Sequence, residues 1–361
     1  MNYTYHLAEQ KDEAELREFI SSMPMPGAIS IRFERNPNFF DASAVEGTVN
    51  ETLLVREGNG RLSGIGNRSE KNVYLNGSPS VVGYLSGLRV DEKHRSLKFL
   101  SQAYKELQKL HEAGNAKIYL TSIVNENERA VKVLESGRGA LPKYNFLGQY
   151  FTCVIASGKV YGSSEFDIRL AEQADMQALI NFLNKNGREK QFFPLYKECD
   201  FSTGLLKDLD KVYLALKDGD ICGCMGLWSQ HSYKQLFIDS YSTAMNLIRP
   251  LYNIQAKLLK RTSLPPPGKA FNNLKVAVPL IKKGCEKAFY SLLAKLSQEA
   301  VKQKKPLLYG LHERDPFKEI AEQLSSKVYK SRIYAVYWPD GEQTFKKLEP
   351  EFIPYLELGG L

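Results

Sequence analysis

Apolar positions near the start of the chain follow the spacing of an amphipathic helix. They recur at intervals of three and four residues, which places one set on a single helical face: Leu16, Phe19, Ile20 and Met23. Asp12, just before this set, is typical of a helix start. The same pattern returns in the second half of the chain, where the shared face is formed by Met176, Leu179, Ile180 and Leu183. Two similar helices, one in each half, are therefore predicted.

An internal repeat extends this similarity beyond the helix. Residues 7–20 align without gaps to residues 170–183, and seven of the 14 positions are identical at an offset of 163. Because the offset is about one domain length, we interpret the repeat as a duplication. The predicted organisation is a first domain over 1–157, a linker over 158–166, a second domain over 167–345 and a C-terminal tail over 346–361.

The first half then reads as a run of strands followed by two strand–helix units. Strands are predicted at 51–56, 60–66 and 81–90, with turns at Asn59-Gly60 and Asn76-Gly77. In the third strand the alternation places Val82, Tyr84, Leu88 and Val90 on one face and leaves Gly83 and Gly87 on the other. Glycines on one strand face permit close approach of another chain or a ligand.

A basic turn over residues 91–96 connects this strand to a helix with apolar positions at Leu97, Leu100, Tyr104 and Leu107. A strand at 116–123 and a helix from about Asn127 follow. The amides at the start of a helix are free of intrahelical partners and attract phosphate groups. The turn at 91–96 is therefore a candidate anion site.

These residues resemble the acyl-CoA site of GCN5-related N-acetyltransferases (GNAT). Residues 88–95 resemble the strand and turn that lead into the Arg/Gln-x-x-Gly-x-Gly/Ala loop around the CoA pyrophosphate, and 127–134 resemble the next helix of that family. The resemblance implies an α/β (α+β) fold of two tandem GNAT-like domains, each a mixed, mostly antiparallel twisted sheet flanked by helices. It implies an acyl-CoA co-substrate, acetyl-CoA above all, with no metal. The implied cofactor-binding residues are Leu88, Arg89, Val90, Arg95, Ser96, Leu97, Lys98, Phe99, Leu100, Asn127 and Ala130.

Two departures from the family pattern affect the predicted chemistry. Lys98 and Leu100 stand where the family has Gly and Gly/Ala, which reduces the room for backbone amides around a phosphate. Leu134 stands where the family often has its general-acid tyrosine. The catalytic residues are consequently left open, and the candidates are Tyr144, Tyr150 and Glu126, with structural or phosphate roles expected for His94.

The second half repeats the order of elements without the motif. Strands are predicted at 211–216, 220–228, 273–280, 307–310 and 332–338, and helices at 240–259, 287–302 and 312–324. Of a glycine loop only Gly284 remains. We expect a degenerate domain that helps to form the acceptor cleft of the first.

Composition adds limits on partners and location. Of the 361 residues 43% are hydrophobic, no run of about 18 apolar residues occurs, and the N-terminus lacks the layout of a signal peptide, so a soluble cytoplasmic protein without a membrane partner is expected. Residues 249–305 hold 13 basic and two acidic residues, a stretch that either attracts the phosphates of CoA or nucleic acid or forms a solvated lysine face. Five scattered cysteines favour buried thiols over a zinc site, Cys222 and Cys224 included.

Three functions are compatible with these observations. The first is an acyl-CoA-dependent N-acyltransferase that transfers an acetyl group to a small-molecule or peptide amine. The second is a catalytically silent binding protein with a GNAT fold, suggested by Leu134 and the missing glycines. The third is a transferase that resembles the Fem family and uses aminoacyl-tRNA, suggested by the basic segment. The oligomeric state is not indicated by the sequence.

Overall fold

The structure is a computed structural model that describes residues 2–156, 160, 162–207, 209–258 and 263–361. Three residues of the predicted linker, 158, 159 and 161, lie outside this description. The strands are β1 (Tyr3–Leu7), β2 (Ile29–Glu34), β3 (Val49–Glu57), β4 (Leu62–Leu75), β5 (Ser78–Val90), β6 (Tyr119–Val124), β7 (Lys143–Ile155), β8 (Asp167–Leu170), β9 (Lys190–Gln191), β10 (Leu209–Lys217), β11 (Asp220–Trp228), β12 (Gln235–Tyr241), β13 (Leu274–Ile281), β14 (Leu307–His312), β15 (Ser325–Tyr337) and β16 (Ile353–Pro354). The α-helices are α1 (Glu13–Ser21), α2 (Phe39–Ser43), α3 (Leu97–Ala113), α4 (Glu128–Leu134), α5 (Met176–Gly187), α6 (Thr243–Leu258), α7 (Ala288–Lys302), α8 (Lys318–Gln323) and α9 (Glu342–Lys346).

One 12-stranded sheet runs through the whole molecule, in the order β1-β3-β4-β5-β6-β15-β7-β14-β13-β11-β10-β8. Its neighbours are antiparallel except for the pairs β5–β6 and β13–β14. The predicted fold class, a mixed and mostly antiparallel sheet flanked by helices, is confirmed. The two halves nevertheless share a single sheet.

The two halves exchange their last long strands at the centre of this sheet. Strand β7 from the first half pairs with β14 of the second half, and β15 from the second half pairs with β6 of the first. The exchanged strands also pair with each other over their whole length. Backbone hydrogen bonds therefore connect the halves through β7 and β15, and neither half completes its sheet without a strand of the other.

Helices cover both faces of the sheet. Helix α3 packs on one face at the first half, and α7 packs on the same face at the second half. Val328, Tyr334 and Val336 are an even number of residues apart along β15, so their side chains lie on one face of the sheet. Val328 packs in the cluster under α7, and the other two pack in the cluster under α3. The opposite face carries α1 and α5. It also receives residues 353–361, which we call the C-terminal segment, through the buried side chains of Leu356 and Leu358.

The repeated segments adopt the same local structure. In each, a strand leads into a short turn in which an aspartate caps a backbone amide: Glu9 N donates to Asp12 Oδ2 over 2.9 Å, and Glu172 N donates to Asp175 Oδ2 over 2.8 Å. Helices α1 and α5 follow, with the predicted apolar faces buried at Leu16 and Leu183. The sequence repeat thus corresponds to two copies of one helix-capping motif.

Two predicted elements of the second half differ in the structure. The helix predicted over 312–324 is confined to Lys318–Gln323, because His312 continues β14 opposite Tyr150 and Pro316 interrupts the segment. The helix predicted from residue 240 begins at Thr243, since Ser240 belongs to β12, which pairs with β2. Cys222 and Cys224 are buried in β11. No described helix is long and apolar enough to cross a membrane.

Candidate functional site

Two parallel strands separate near the centre of the first half. Within residues 78–124, all of which the structure describes, β5 and β6 pair at two positions only, Gly83 with Tyr119 and Tyr84 with Leu120. Just beyond them Thr121 Oγ1 donates to the carbonyl of Leu85 over 2.7 Å. The two strands then continue to Val90 and Val124 without pairing with each other. We call this opening the first splay.

A β-bulge in β5 lies at the first splay. Between the pairs Asn67–Ser86 and Ile65–Arg89, β5 advances by three residues while β4 advances by two, and Gly87 has a φ of 62°. This conformation is one that glycine adopts without a steric penalty. Gly87 and Leu88 consequently have no partner in the register between β4 and β5.

The bulge also corrects the predicted faces of this strand. Val82 and Tyr84 lie in the cluster opposite α3, whereas Leu88 and Val90 pack in the cluster under α3. The prediction that all four share one face was wrong, because the extra residue at Gly87 reverses the alternation of side chains. Arg89 consequently points to the face opposite α3, where its guanidinium lies over the ring of Phe33 at 5.9 Å.

Asn67 on β4 is a buried polar residue at this bulge that the sequence reasoning missed. Its side chain is 5% exposed, and among the described residues neither amide atom has a hydrogen-bond partner. A Cβ added at Gly87 would lie 2.9 Å from Asn67 Nδ2, so the amide lies directly against the bulge. Orphaned buried amides are rare and costly. The signal in the sequence was a polar Asn directly after the predicted strand at 60–66.

The turn after β5 brings cationic side chains to the start of α3. Ser96 caps the helix by accepting the amide of Phe99 over 3.2 Å, and Lys98 is exposed in the first turn. Arg95 donates to Glu92 Oε1 over 3.0 Å and to the carbonyl of Val90 over 3.1 Å. The positive end of the helix dipole and two cations therefore coincide here, an arrangement that favours an anion.

The remaining residues of the predicted turn are divided between the core and the surface. Phe99 is buried, Leu97 and Ser96 are exposed, and Leu100 is half-buried. His94 faces inward, with Nδ1 2.8 Å from Tyr3 Oη and Nε2 3.0 Å from Glu57 Oε1. This histidine connects the turn to β1 and β3. Of the two roles expected for it, structural and phosphate-binding, these contacts correspond to the structural one.

The start of α4 lies beside the turn. Asn127 caps this helix by accepting the amide of Ala130 over 3.2 Å, and Arg129 Nη2 lies 3.4 Å from the carbonyl of Arg95. Glu126 is exposed just before the cap. The contacts of Arg95 with Val90 and of Arg129 with Arg95 therefore place the predicted segments 88–90, 95–100 and 127–130 next to one another.

The two candidate tyrosines occupy different sites. Tyr144 belongs to the cluster under α3, where its hydroxyl lies 2.6 Å from that of Tyr104. Tyr150 lies on the opposite face and donates to the carbonyl of Leu356 over 2.9 Å. Burial raises the pKa of both phenols well above the ordinary value. Each hydroxyl is already engaged within the protein.

A buried ionic network lies next to the bulge on the face opposite α3. Glu46 is 2% exposed and accepts a hydrogen bond from Ser86 Oγ over 2.5 Å. Arg35 Nη2 lies 3.2 Å from its carboxylate, and Lys234 Nζ from the second half lies 3.8 Å away. Desolvation by burial lowers the pKa of Lys234 to about 8. Because Ser86 directly precedes Gly87, the Glu46 carboxylate contacts the residue next to the bulge.

A second splay occurs at the equivalent place in the other half. Strands β13 and β14 are parallel and pair at Leu274–Leu307 and Lys275–Leu308, in a stretch where every residue of both strands is described. A bulge in β13 follows, with Val278 at a φ of 44°. The motif of two paired positions followed by a bulge therefore exists twice.

The C-terminal segment fills this second splay. Glu357 Oε2 accepts the backbone amide of Val278 over 2.9 Å and the hydroxyl of Tyr355 over 2.6 Å. A Cβ added at Gly310 on β14 would lie 3.0 Å from Leu358 Cβ. Burial raises the pKa of the Glu357 carboxyl. The amide at the bulge of β13 is thus occupied by the chain itself.

Comparisons with known proteins identify the fold. No protein-family model matches the chain, and no curated protein matches it significantly by sequence. Two structures of Saccharomyces cerevisiae N-myristoyltransferase with bound myristoyl-CoA match 98% of this chain and 85% and 89% of theirs, each at 10% identity and a TM-score of 0.58. A GCN5-related N-acetyltransferase from Anabaena variabilis matches 92% of this chain and 72% of its own, at 8% identity and a TM-score of 0.51. The chain therefore has the fold of GCN5-related N-acetyltransferases and N-myristoyltransferases.

Proposed function

We propose that this protein is an acyl-CoA-dependent N-acyltransferase that binds its co-substrate in the first splay. The observation that carries the proposal is the orphaned amide of Asn67 against the β5 bulge at Gly87, beside an open pair of parallel strands. A buried amide without a partner is explained when a ligand supplies the missing polar atoms. The shared fold with acyl-CoA-dependent transferases supports this interpretation.

The first splay offers a place for each part of an acyl-CoA. The diphosphate lies at the start of α3, where Arg95 and Lys98 add charge to the helix dipole. The pantetheine arm lies between β5 and β6 and reaches the thioester at Gly87. The Asn67 amide then donates to the thioester carbonyl oxygen, whose negative charge grows as the amine attacks.

The acceptor amine approaches from the face opposite α3. There the Glu46 carboxylate, held by Ser86 and Arg35, attracts the ammonium group and takes its proton directly or through a water. The neutral nitrogen attacks the thioester carbon, the C–S bond breaks, and CoA leaves as a thiolate that accepts the released proton. The acceptor is a small-molecule or peptide amine, and the transferred group is acetyl.

Binding of acetyl-CoA tests the proposal, with a matched control in the other half. At 100 times its Kd the ligand stabilises the fold by about 2.7 kcal/mol and raises Tm. We expect the double variant Arg95→Ala, Lys98→Ala to abolish this shift, and Lys282→Ala, Lys283→Ala, at the corresponding turn before α7, to retain it. Calorimetry without heat from either acetyl-CoA or myristoyl-CoA would show that the proposal is wrong.

A binding protein without turnover is the second candidate. It is favoured by Tyr144, whose hydroxyl is engaged with Tyr104 and so does not serve as a free acid. Release of CoA in the presence of a panel of amines decides between the two. Turnover that falls in Glu46→Gln while the Kd for acetyl-CoA is unchanged supports the transferase.

A further inference from the structure

The side of the first splay that faces away from α3 carries more positive than negative side chains. Four cations lie there, and we call them the cation cluster: Arg35, Lys71, Arg89 and Lys234. The Glu46 carboxylate contacts two of them, Arg35 Nη2 at 3.2 Å and Lys234 Nζ at 3.8 Å. Four positive charges around this one carboxylate leave an excess of positive charge.

Two members of the cation cluster have no carboxylate contact. Lys71 Nζ lies 5.8 Å from the ring centre of Tyr84, and no atom among the described residues accepts a hydrogen bond from it. Arg89 donates to the carbonyl of Leu88 over 3.0 Å, and its guanidinium lies over the ring of Phe33. Aromatic rings and a neutral carbonyl do not cancel a positive charge. Both cations therefore retain N–H groups that an anion could accept.

The cation cluster is largely withdrawn from water. The side chains of Arg35 and Lys234 are 11% and 15% exposed, and Lys71 and Arg89 are half-buried. Burial lowers the pKa of Lys234 to about 8; the Glu46 charge opposes this shift, and the charges of Arg35 and Lys71 add to it. Like charges held together away from water are costly unless an anion pairs with them.

The other groups of the chain near the cluster do not supply this anion. Glu357 is a second carboxylate whose charge acts on Lys71, but it is already bound at the bulge of the second splay, and burial raises its pKa, which favours the neutral form. Lys234 Nζ donates to the carbonyls of Gly359 and Leu361, at 3.4 Å and 3.1 Å. These carbonyls carry no net charge, so the positive excess persists among the described residues.

We propose that the acceptor amine carries a carboxylate close to its amino group, as a free amino acid does, and that the cation cluster binds this carboxylate. Glu46 and Lys234 place a negative and a positive group 3.8 Å apart. An ammonium and a carboxylate separated by one carbon present the opposite charges at a similar spacing. The inference rests on the proposed acyltransferase function, in which Glu46 receives the amino group, and it narrows the class of acceptor.

Matched pairs of acceptors test the proposal in an assay of CoA release from acetyl-CoA. Glycine, L-alanine, L-leucine and L-glutamate are each compared with their own α-carboxamide, which keeps the amine and removes the negative charge. We expect kcat/KM to be roughly tenfold or more higher for at least one of the acids than for its amide, because hydrogen bonds between charged groups are lost in the amide. Ethanolamine and O-phosphoethanolamine form a further pair, in which the anion is a phosphate.

Substitution of Lys71 tests the cluster itself. Lys71→Met removes a charge that has no partner in the described part of the chain, and should raise KM for the preferred amino acid by roughly tenfold, so that the preference for acid over amide falls. Lys71→Arg keeps the charge and should retain the preference. Lys327→Met is the matched control, since Lys327 Nζ lies 5.9 Å from the ring of Tyr329 on β15, and the preference should be unchanged.

The possible outcomes separate this proposal from the function on which it rests. Equal kcat/KM for the acids and their amides, or turnover of O-phosphoethanolamine but of no amino acid, would overturn the carboxylate while the transferase stands. A preference that Lys71→Met leaves intact would show that the cation cluster does not bind the carboxylate. Absence of CoA release with every amine would overturn the proposed function and this inference with it. Circular dichroism and Tm verify that the variants are folded.

Discussion

The two splays of this sheet have the same backbone plan and opposite contents. Each consists of two paired positions between parallel strands followed by a bulge. At the first, the buried amide of Asn67 has no partner among the described residues; at the second, the amide of Val278 is bound by Glu357 from the C-terminal segment. The comparison teaches that the backbone geometry alone does not make a ligand site, because the bulge amide of the second splay is already bound from within the chain.

Removing the carboxylate of Glu357, which binds the bulge amide of the second splay, is expected to have the largest effect on stability. Glu357→Ala leaves the Val278 amide and the Tyr355 hydroxyl without acceptors in a buried setting, and should lower the free energy of unfolding by about 3 kcal/mol. Urea denaturation measures the change. Acetyl-CoA binding in the first half should keep its Kd.

Glu357→Gln is the control for this variant, since its amide oxygen retains an acceptor for one donor. We expect it to lose less stability than Glu357→Ala. If both variants unfold with the midpoint of the unchanged protein, the C-terminal segment is not what holds the second splay closed.

Replacing the unpartnered amide of Asn67 in the first splay should raise the stability of the fold and weaken the binding of acetyl-CoA. Asn67→Leu replaces a buried amide without partners by an apolar side chain of similar size, so the free energy of unfolding should rise by about 1 kcal/mol. The Kd for acetyl-CoA should increase by about tenfold, because the amide no longer meets the thioester. Thermal unfolding and calorimetry on the same samples measure both.

Asn184→Leu provides the opposite case in the second half. Asn184 exchanges hydrogen bonds with the backbone of Tyr196, at 2.9 Å and 3.0 Å, so its loss should destabilise the fold. A decrease in stability for Asn67→Leu as well would mean that its amide has a partner such as a bound water, and the ligand interpretation of Asn67 would fail.

The smallest expected effect is a pH dependence of stability that arises from Lys275, the last paired residue of the second splay. Its counterpart in the first splay is Tyr84. Burial, with a contribution from the Lys234 charge, lowers the pKa of Lys275 to about 7. Between about pH 7 and the ordinary lysine value of 10.5 the unfolded chain binds more protons than the folded one, so stability rises with pH across this interval. From pH 7 to pH 9 the rise is roughly 1 kcal/mol after allowance for partial exposure.

Lys275→Met should flatten most of this rise, while the lowered pKa of Lys234, about 8, leaves a residual slope. Urea midpoints across this pH interval measure the slope. An equal slope in both proteins would indicate that Lys275 stays charged through its contact with Gln230.

Much of the local structure follows from short-range patterns in the sequence. The apolar spacing around Leu16 and Leu179 predicts α1 and α5, and the turn residues Asn76 and Gly77, both with positive φ, predict the hairpin between β4 and β5. The segment from residue 88 to residue 100 identified the strand, turn and helix start that surround the first splay. These features depend on neighbours within a few residues, so the sequence displays them directly.

The strand faces and the central polar groups were not predictable in this way. A bulge at Gly87 reverses the alternation that otherwise places Leu88 with Val82, and alternation alone does not reveal a bulge. Glu46 and Lys234 are 188 positions apart in the sequence, yet Lys234 Nζ lies 3.8 Å from Glu46 Oε1. Such pairs form only when the halves pack together.

The sequence by itself therefore determined the elements, the repeat and the polarity of the helix starts, because propensity, capping and periodicity act over one or two turns. Only the tertiary structure decided that β7 and β15 change places, that the C-terminal segment closes the second splay, and that Asn67 is left without a partner. Each of these depends on which distant segments satisfy a backbone or side-chain polar group. That choice is made by the competition among all segments of the folded chain.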